Sequence, residues 1–175
     1  MIIACATGII VLIILFGYSF MGNRLVNLKK SADITMKDLN NQLKQRHERF
    51  NALIDTVKDS INDHQDLLDT ISICQIKIAS AQNLLQISQT ESQLNEILNR
   101  LYPLLENIPE LQENNHVQQL QQSLIAISSR IMIACRRYND IVRDLNSKLD
   151  TPPYSTIAKT RRYTKMALLD LTSHE

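Results

Sequence analysis

With 175 residues, the chain is long enough for one domain with a real hydrophobic core and an appendage. Its 19 basic and 18 acidic side chains leave a formal charge of +1, which excludes a protein that attracts nucleic acid over its whole surface. Only three glycines and four prolines are present, and this scarcity favours a few long helices over many short strands.

The amino-terminal stretch MIIACATGIIVLIILFGYSF carries no charged side chain. Its 20 residues would span about 30 Å as a helix, the thickness of a bilayer core. A cleaved signal peptide, the alternative, needs a basic start and small residues before the cut, and neither is evident. We therefore expect an uncleaved transmembrane anchor over residues 1–21.

The basic residues Arg24, Lys29 and Lys30 follow this run, whereas none precedes it. The positive-inside rule then places the body in the cytoplasm, as a single-pass protein of the inner membrane. With one short flank on each side, a periplasmic body stays an alternative.

The first two helices of the body are predicted from apolar residues that recur at alternating steps of three and four. No proline or glycine interrupts residues 23–102. A long first helix of about 40 residues is expected, followed by a second of half that length. The first stripe is Leu25, Ala32, Met36, Leu39, Leu43, Phe50, Leu53, Val57 and Ile61. The second is Leu67, Ile71, Cys74, Ile78, Ala81 and Leu85.

Two further helices follow. The motif SQTES at residues 88–92 predicts a turn with Thr90 or Ser92 as the cap of the third helix. Pro103 predicts a kink or break within that helix, and Pro109 ends it. The fourth helix is expected to stop at DTPPYS. Its stripe is Val117, Leu120, Leu124, Ile127, Ile131, Ala134, Tyr138, Ile141 (or Val142), Leu145 and Leu149.

Four amphipathic stripes with short connections predict an all-α fold: an up-down-up-down antiparallel bundle over residues 22–151, with long first and fourth helices. The half of the bundle nearest the membrane would contain mainly helices one and four, leaving an apolar groove uncovered. The up-down order also returns the tail, residues 152–175, to the membrane side. Its cations then join those after the anchor in a predicted membrane-surface contact: Arg24, Lys29, Lys30, Lys159, Arg161, Arg162 and Lys165.

The stretch RRYNDIVRDLN, residues 136–146, mixes three arginines with two aspartates. Without a basic stripe or stacking aromatic residues, it indicates a solvated helix face and no nucleic-acid partner. Tyr138 is expected at the buried seam with its hydroxyl at the edge, and Asn139 as a residue that caps or cross-links helices. We interpret this pair as a structural signature.

No catalytic, cofactor-binding or metal-ligating set can be assembled from the sequence. Glu113 and His116 form a lone Glu-x-x-His, whereas di-iron bundles need two such motifs and further glutamates. His47 is flanked by charges and is expected to be exposed, and His64 is expected at a corner between helices. Three cysteines without a C-x-x-C pair are expected to be buried and reduced: Cys5, Cys74 and Cys135.

The anchor, the motif QLKQRHE (residues 42–48) and the motif RRYNDIV (residues 136–142) stand in an order that resembles the LemA family of bacterial membrane proteins. The likeness covers nearly the whole chain and implies a long antiparallel helical bundle, with no assigned molecular role. The chain departs from the family pattern at four positions, which puts a shared binding function in question more than the fold: Met36, Asn51, Ser128 and Cys135.

We therefore expect a non-enzymatic, membrane-anchored bundle that scaffolds or regulates a membrane partner or associates with itself, with no small-molecule substrate and no cofactor. Two alternatives are kept: a sensory or ligand-binding bundle, and a metal-dependent enzyme.

Overall fold

The computed structural model describes the backbone of residues 2–171 and the side chains of residues 16–171. It contains helices and no strand in that range, which confirms the all-α prediction. The helices are α1 (Ile2–Val57), α2 (Gln65–Ser80), α3 (Leu84–Asn107), α4 (Pro109–Gln112), α5 (Asn115–Asp150) and α6 (Tyr154–Thr160).

The chain forms two compact units, and the division cuts through α1 and α5. Unit 1 comprises Met1–Met36 and Arg137–Leu168, and unit 2 comprises Lys37–Arg136 and Leu169–Glu175. Of the tail that begins at residue 152, residues 152–168 belong to unit 1 and the rest to unit 2.

Unit 2 packs its helices around one apolar core. The predicted seam residues of each helix meet there, including Phe50 from α1, Ile71 from α2, Ile97 from α3 and Leu124 from α5. Between α2 and α3, Arg100 donates to Asp66 while Lys77 donates to Gln93. Residues early in α2 thus meet residues late in α3, so this pair is antiparallel, as a three-residue connection requires.

The third helix begins earlier than predicted. Asn83 is its cap, with the side-chain oxygen accepting from the Gln86 amide at 2.9 Å. The predicted caps Thr90 and Ser92 are wrong, because both lie inside α3. Leu85 is likewise an exposed residue of α3 and not part of the α2 seam.

Pro103 lies inside α3, which continues to Asn107, so the helix is not broken there. Pro109 does begin a new element, α4, at its first position, where a proline removes no helical hydrogen bond.

Unit 1 is held together by a smaller apolar cluster. Leu25 of α1 packs with Leu145 and Leu149 of α5 and with Ile157 and Ala158 of α6. Three more residues after α5 pack partly buried against the cluster: Tyr154, Tyr163 and Met166. The predicted uncovered groove between helices one and four is therefore wrong at this position, because α6 and the residues after it fill it.

No helix is both long and apolar enough to cross a membrane among the residues that were described. The predicted anchor at residues 1–21 lies mostly outside that set, since the side chains of residues 1–15 are not described.

Candidate functional site

Two charged residues occupy buried seam positions in unit 2. On α1, Leu39, Leu43, Arg46, Phe50 and Leu53 follow one another at steps of four, three, four and three, so Arg46 takes a position that the repeat reserves for a core residue. On α3, Glu91 holds the equivalent position in the series Ile87, Glu91, Leu94 and Leu98. The Arg46 side chain is 5% exposed and that of Glu91 is 1% exposed.

The two side chains neutralise each other directly. Arg46 donates from Nη1 to Glu91 Oε2 at 2.5 Å and from Nη2 to Asn95 Oδ1. His47 Nε2 lies 2.5 Å from the other carboxylate oxygen of Glu91. Because an ionised carboxylate only accepts hydrogen bonds, the His47 ring nitrogen donates here. We call this set, Arg46, His47, Glu91 and Asn95, the Glu91 cluster.

His47 is the clearest correction among the predicted side chains. The flanking charges indicated an exposed ring, but the ring is 22% exposed and bonded to Glu91. Its neighbour Arg46 lies at the seam, and a residue one position further along the helix still faces α3. His64 and His116 are exposed, the first at the connection between α1 and α2 as predicted.

The cluster changes the acidity of neighbouring groups. Burial raises the pKa of the Cys74 thiol, and the negative charge of Glu91 raises it further, against smaller opposing effects of Lys77 and Arg46. Burial also raises the pKa of Tyr102, opposed by the positive charge of Arg46. Both groups keep their protons at neutral pH, so Cys74 is a poor nucleophile.

Among the described side chains of α1, Gln42 Oε1 and Arg46 Nε are buried without a hydrogen-bond partner in the protein. A buried polar atom left in this state costs about 1–3 kcal/mol. Because apolar residues of similar size often replace a buried ion pair at no loss of stability, the Glu91 cluster favours a role in fixing the fold or in binding over a role in stability alone.

A cleft of about 200 Å³ opens beside the cluster, with Glu91 and His47 in its wall. This volume lies below the usual range of ligand pockets, about 300–1,000 Å³. Its remaining lining residues are Asn40, Leu43, Lys44, Ile78, Ala81, Ile87 and Thr90. A larger cleft of about 490 Å³ lies between α1 and α5 and includes Glu48, Arg49 and Arg130.

The described residues contain no group of three or more His, Cys, Asp or Glu side chains placed to hold a metal ion. Glu113 and His116, the lone Glu-x-x-His, are both exposed.

All seven predicted membrane-surface cations belong to unit 1, and all are exposed. The structure brings several of them to the same part of that unit. Lys29 lies with its Nζ 5.6 Å from the centre of the Tyr163 ring, and the Arg161 guanidinium lies against Gly22. Lys165 forms an ion pair with Asp150 at 2.8 Å.

The predicted signature residue Tyr138 is buried in unit 1, and its hydroxyl donates to the Ala167 carbonyl at 3.0 Å. Asn139 is half-buried. Nearby, Asn146 bonds both the carbonyl and the amide of Met166, at 2.8 and 3.0 Å, so the irregular segment around Met166 is held against α5 by side chains. In unit 2, Cys135 donates to the Leu169 carbonyl at 3.3 Å.

The sequence could have revealed the Glu91 cluster. The apolar stripe of α1 lacks a member between Leu43 and Phe50, and Arg46 stands in that gap. Its motif QLKQRHE also carries Gln42 and His47, so the most recognisable stretch of α1 contributes three residues of this buried polar region.

No curated protein matches the chain. The model of the LemA family matches residues 35–175, which include the Glu91 cluster, the Tyr138 contact and all of the chain after α5. On this match over most of its length, the chain belongs to the LemA family.

Proposed function

We propose that the protein is a non-enzymatic helical bundle, tethered to the inner membrane by residues 1–21, that holds a protein partner at the cytoplasmic surface. The observation that carries this proposal is the sorting of charge between the two units.

The net charge of the chain is near zero, but the two units carry opposite net charges. Unit 1 contains ten basic and four acidic side chains, a net charge of +6, whereas unit 2 contains nine basic and fourteen acidic side chains, a net charge of −5. The apolar run at the amino terminus belongs to the basic unit. The cations are therefore concentrated in the unit that would lie next to the bilayer.

This charge sorting supports attachment in two ways. Each lysine or arginine near an anionic leaflet contributes about 1 kcal/mol, and the cytoplasmic leaflet is the anionic one. Cations beside an apolar span also favour the cytoplasmic side during insertion. Lys165 forms an ion pair with Asp150, so it is less available for contact with lipid headgroups than Arg162 or Lys159.

Two other observations support a binding role without catalysis. The ionised groups of the Glu91 cluster are bonded to one another, and Cys74 keeps its proton, so these side chains are occupied in holding the fold. At the same time α5 exposes Ile125, Met132 and Ile133 to solvent within unit 2. Exposed apolar side chains grouped on one helix mark interaction surfaces.

Attachment is tested with the full-length chain in cell membranes. We expect it to stay in the membrane pellet after alkaline carbonate washing, whereas a chain that begins at residue 22 should be extracted. Release of the full-length chain by carbonate would overturn the tether.

The charge argument is tested on the chain that begins at residue 22. We expect binding to anionic vesicles that is lost with salt and reduced by changing Lys159, Arg161 and Arg162 to Gln. The matched control changes three exposed lysines of unit 2, Lys37, Lys44 and Lys58, to Gln and should bind as before. Equal loss in both variants would show that total charge, and not the charge of unit 1, governs binding.

A ligand-binding role is the second candidate, and the cleft between α1 and α5 favours it. Its volume of about 490 Å³ lies within the range of ligand pockets, and Arg49 and Arg130 line it. The two guanidinium groups suit a small carboxylate. A panel of small carboxylates that raises the melting temperature of the wild type but not of Arg130→Met would support this candidate.

A further inference from the structure

Two helices of unit 2 each expose a row of residues at the spacing of a helix–helix seam. On α2 the row is Asp69, Ile73, Ile76 and Ser80, which we call the α2 stripe. On α5 the row is Ile125, Ser129, Met132 and Arg136, the α5 stripe, flanked by the exposed Ile133. All of these residues are exposed, with Ile76 at 69% and Ile133 at 67%.

The stripes match when they run antiparallel. The α2 stripe advances by steps of four, three and four, and the α5 stripe read backwards from Arg136 advances by the same steps. This alignment sets Asp69 opposite Arg136 and Ile73 opposite Met132. It then sets Ile76 opposite the small Ser129 and the small Ser80 opposite Ile125, so a large side chain faces a small one at two of the four levels.

The charges are complementary in the same alignment. Between residues 115 and 136, α5 carries the cations Arg130 and Arg136 and no acidic residue, whereas the first turns of α2 carry Asp66 and Asp69. Arg136 lies against the sulfur of Met132 at 3.4 Å, which places it at the end of the apolar row. The acidic end of one stripe therefore meets the basic end of the other.

We propose that copies of this chain associate head to tail, with the α2 stripe of one copy packed antiparallel on the α5 stripe of the next. This inference rests on the proposed function, since it names a second copy as one protein that the bundle holds, but it can fail while membrane attachment holds.

The contact joins two different surfaces, so it does not close on itself in a pair. Each copy that joins leaves one stripe uncovered, and association continues as an open series or until a ring forms. The stripe extends over three helical turns, about 16 Å, and buries a small area. Such a contact is weak and reversible in solution, and a shared membrane raises the local concentration that it needs.

The first experiment uses full-length chains in mild detergent, analysed by sedimentation velocity over a range of concentrations. We expect the wild type to form a series that grows beyond the dimer. Ile73→Arg removes the α2 stripe and Met132→Arg removes the α5 stripe, so each variant alone should stay monomeric. An equal mixture should form a one-to-one dimer and nothing larger, because each partner supplies the one stripe that the other lacks.

This mixture also shows that both variants are folded, since a misfolded chain could not restore the dimer. A mixture that stays monomeric would overturn the proposal. So would single variants that assemble like the wild type, or a wild type that stops at the dimer. None of these outcomes bears on membrane attachment, which is tested separately by carbonate washing.

The second experiment tests the alignment itself. Asp69→Arg places two cations opposite each other and should weaken association about tenfold or more, as juxtaposed like charges do. Adding Arg136→Asp to the same chain exchanges the two charges and should restore association. The control Arg137→Asp changes a neighbouring exposed arginine that is not one of the four residues of the α5 stripe and should leave association unchanged. Failure of the exchanged pair to restore assembly would refute the antiparallel alignment.

Discussion

Removal of the buried carboxylate at residue 91 tests the central interpretation of unit 2. Glu91→Gln keeps the size of the side chain but leaves the Arg46 guanidinium, 5% exposed, without a counter-charge. Loss of one partner of a buried ion pair costs about 3–5 kcal/mol, because the remaining charge stays desolvated. Gln also has one acceptor oxygen where the carboxylate has two, so Arg46 and His47 can no longer both donate to residue 91. We expect a fall of about 3 kcal/mol or more in the free energy of unfolding.

The measurement is urea denaturation at pH 7, followed by far-ultraviolet circular dichroism and by a fluorescent label in unit 2. Glu96→Gln is the matched control, because Glu96 is an exposed residue of the same helix, and it should change the free energy by less than about 0.5 kcal/mol.

The double variant Arg46→Met/Glu91→Leu separates the pair from the rest of the core. It removes both charges and fills the same seam positions with apolar side chains, so it should be as stable as the wild type or more stable by about 1–4 kcal/mol. The reasoning would be refuted by a double variant as unstable as Glu91→Gln, or by a single variant that differs from the wild type by less than about 1 kcal/mol.

Three smaller predictions follow from the start of α3, the buried thiol and phenol, and the segment around Met166. Asn83→Ala removes the cap of α3 and should cost about 1 kcal/mol in urea denaturation, whereas Asn99→Ala, an exposed position within that helix, should cost nothing measurable. Burial raises the pKa of Cys74 and of Tyr102 above their ordinary values of 9.0 and 10.0, so the folded state holds these protons more tightly than the unfolded state. Their contribution to stability is therefore complete below pH 9 and is lost as pH rises through the folded pKa values. We expect the melting temperature to fall between pH 7 and pH 11 for this reason, and a melting temperature that does not change over this range would contradict the prediction. Asn146→Ala removes both hydrogen bonds to Met166 and should speed tryptic cleavage near that residue, with an unchanged cleavage rate as the contrary outcome.

The helices of this protein were predictable because its buried residues are spaced regularly. Phe50, Leu94 and Leu124 recur at alternating steps of three and four with their neighbours, and the structure buries all three. In the second half of α5 the pattern allowed Ile141 or Val142 at the seam, and the structure buries Val142 and leaves Ile141 half-buried. Where two adjacent residues at a seam are both apolar, side-chain packing decides which of them is buried. The spacing of apolar residues in the sequence does not contain this information.

The candidate site was harder to predict, because polar residues at a seam look like interruptions of a pattern. Glu91 was placed in a turn, since SQTES has the composition of a helix start, but the preceding Asn83 forms the cap instead. The partner of Glu91 lies 45 residues earlier in the chain, and no local rule relates the two positions. The role of the tail was missed for a similar reason: Tyr154 and Ile157 lie in a stretch rich in charges, and the apolar surface that they cover includes Leu25, which is distant in the sequence.

The buried pair also decides how α1 and α3 are aligned. If α3 slid by one helical turn, about 5.4 Å, Glu91 would face the apolar level of Leu43 or Phe50, and Arg46 would face Ile87 or Leu94. Apolar side chains tolerate many such offsets, because one leucine replaces another at little loss. One acidic residue and one basic residue in otherwise apolar stripes allow only the offset that pairs them. The sequence thereby selects one offset between α1 and α3. With leucine and isoleucine alone in the two stripes, this offset and its neighbours would be nearly equal in energy.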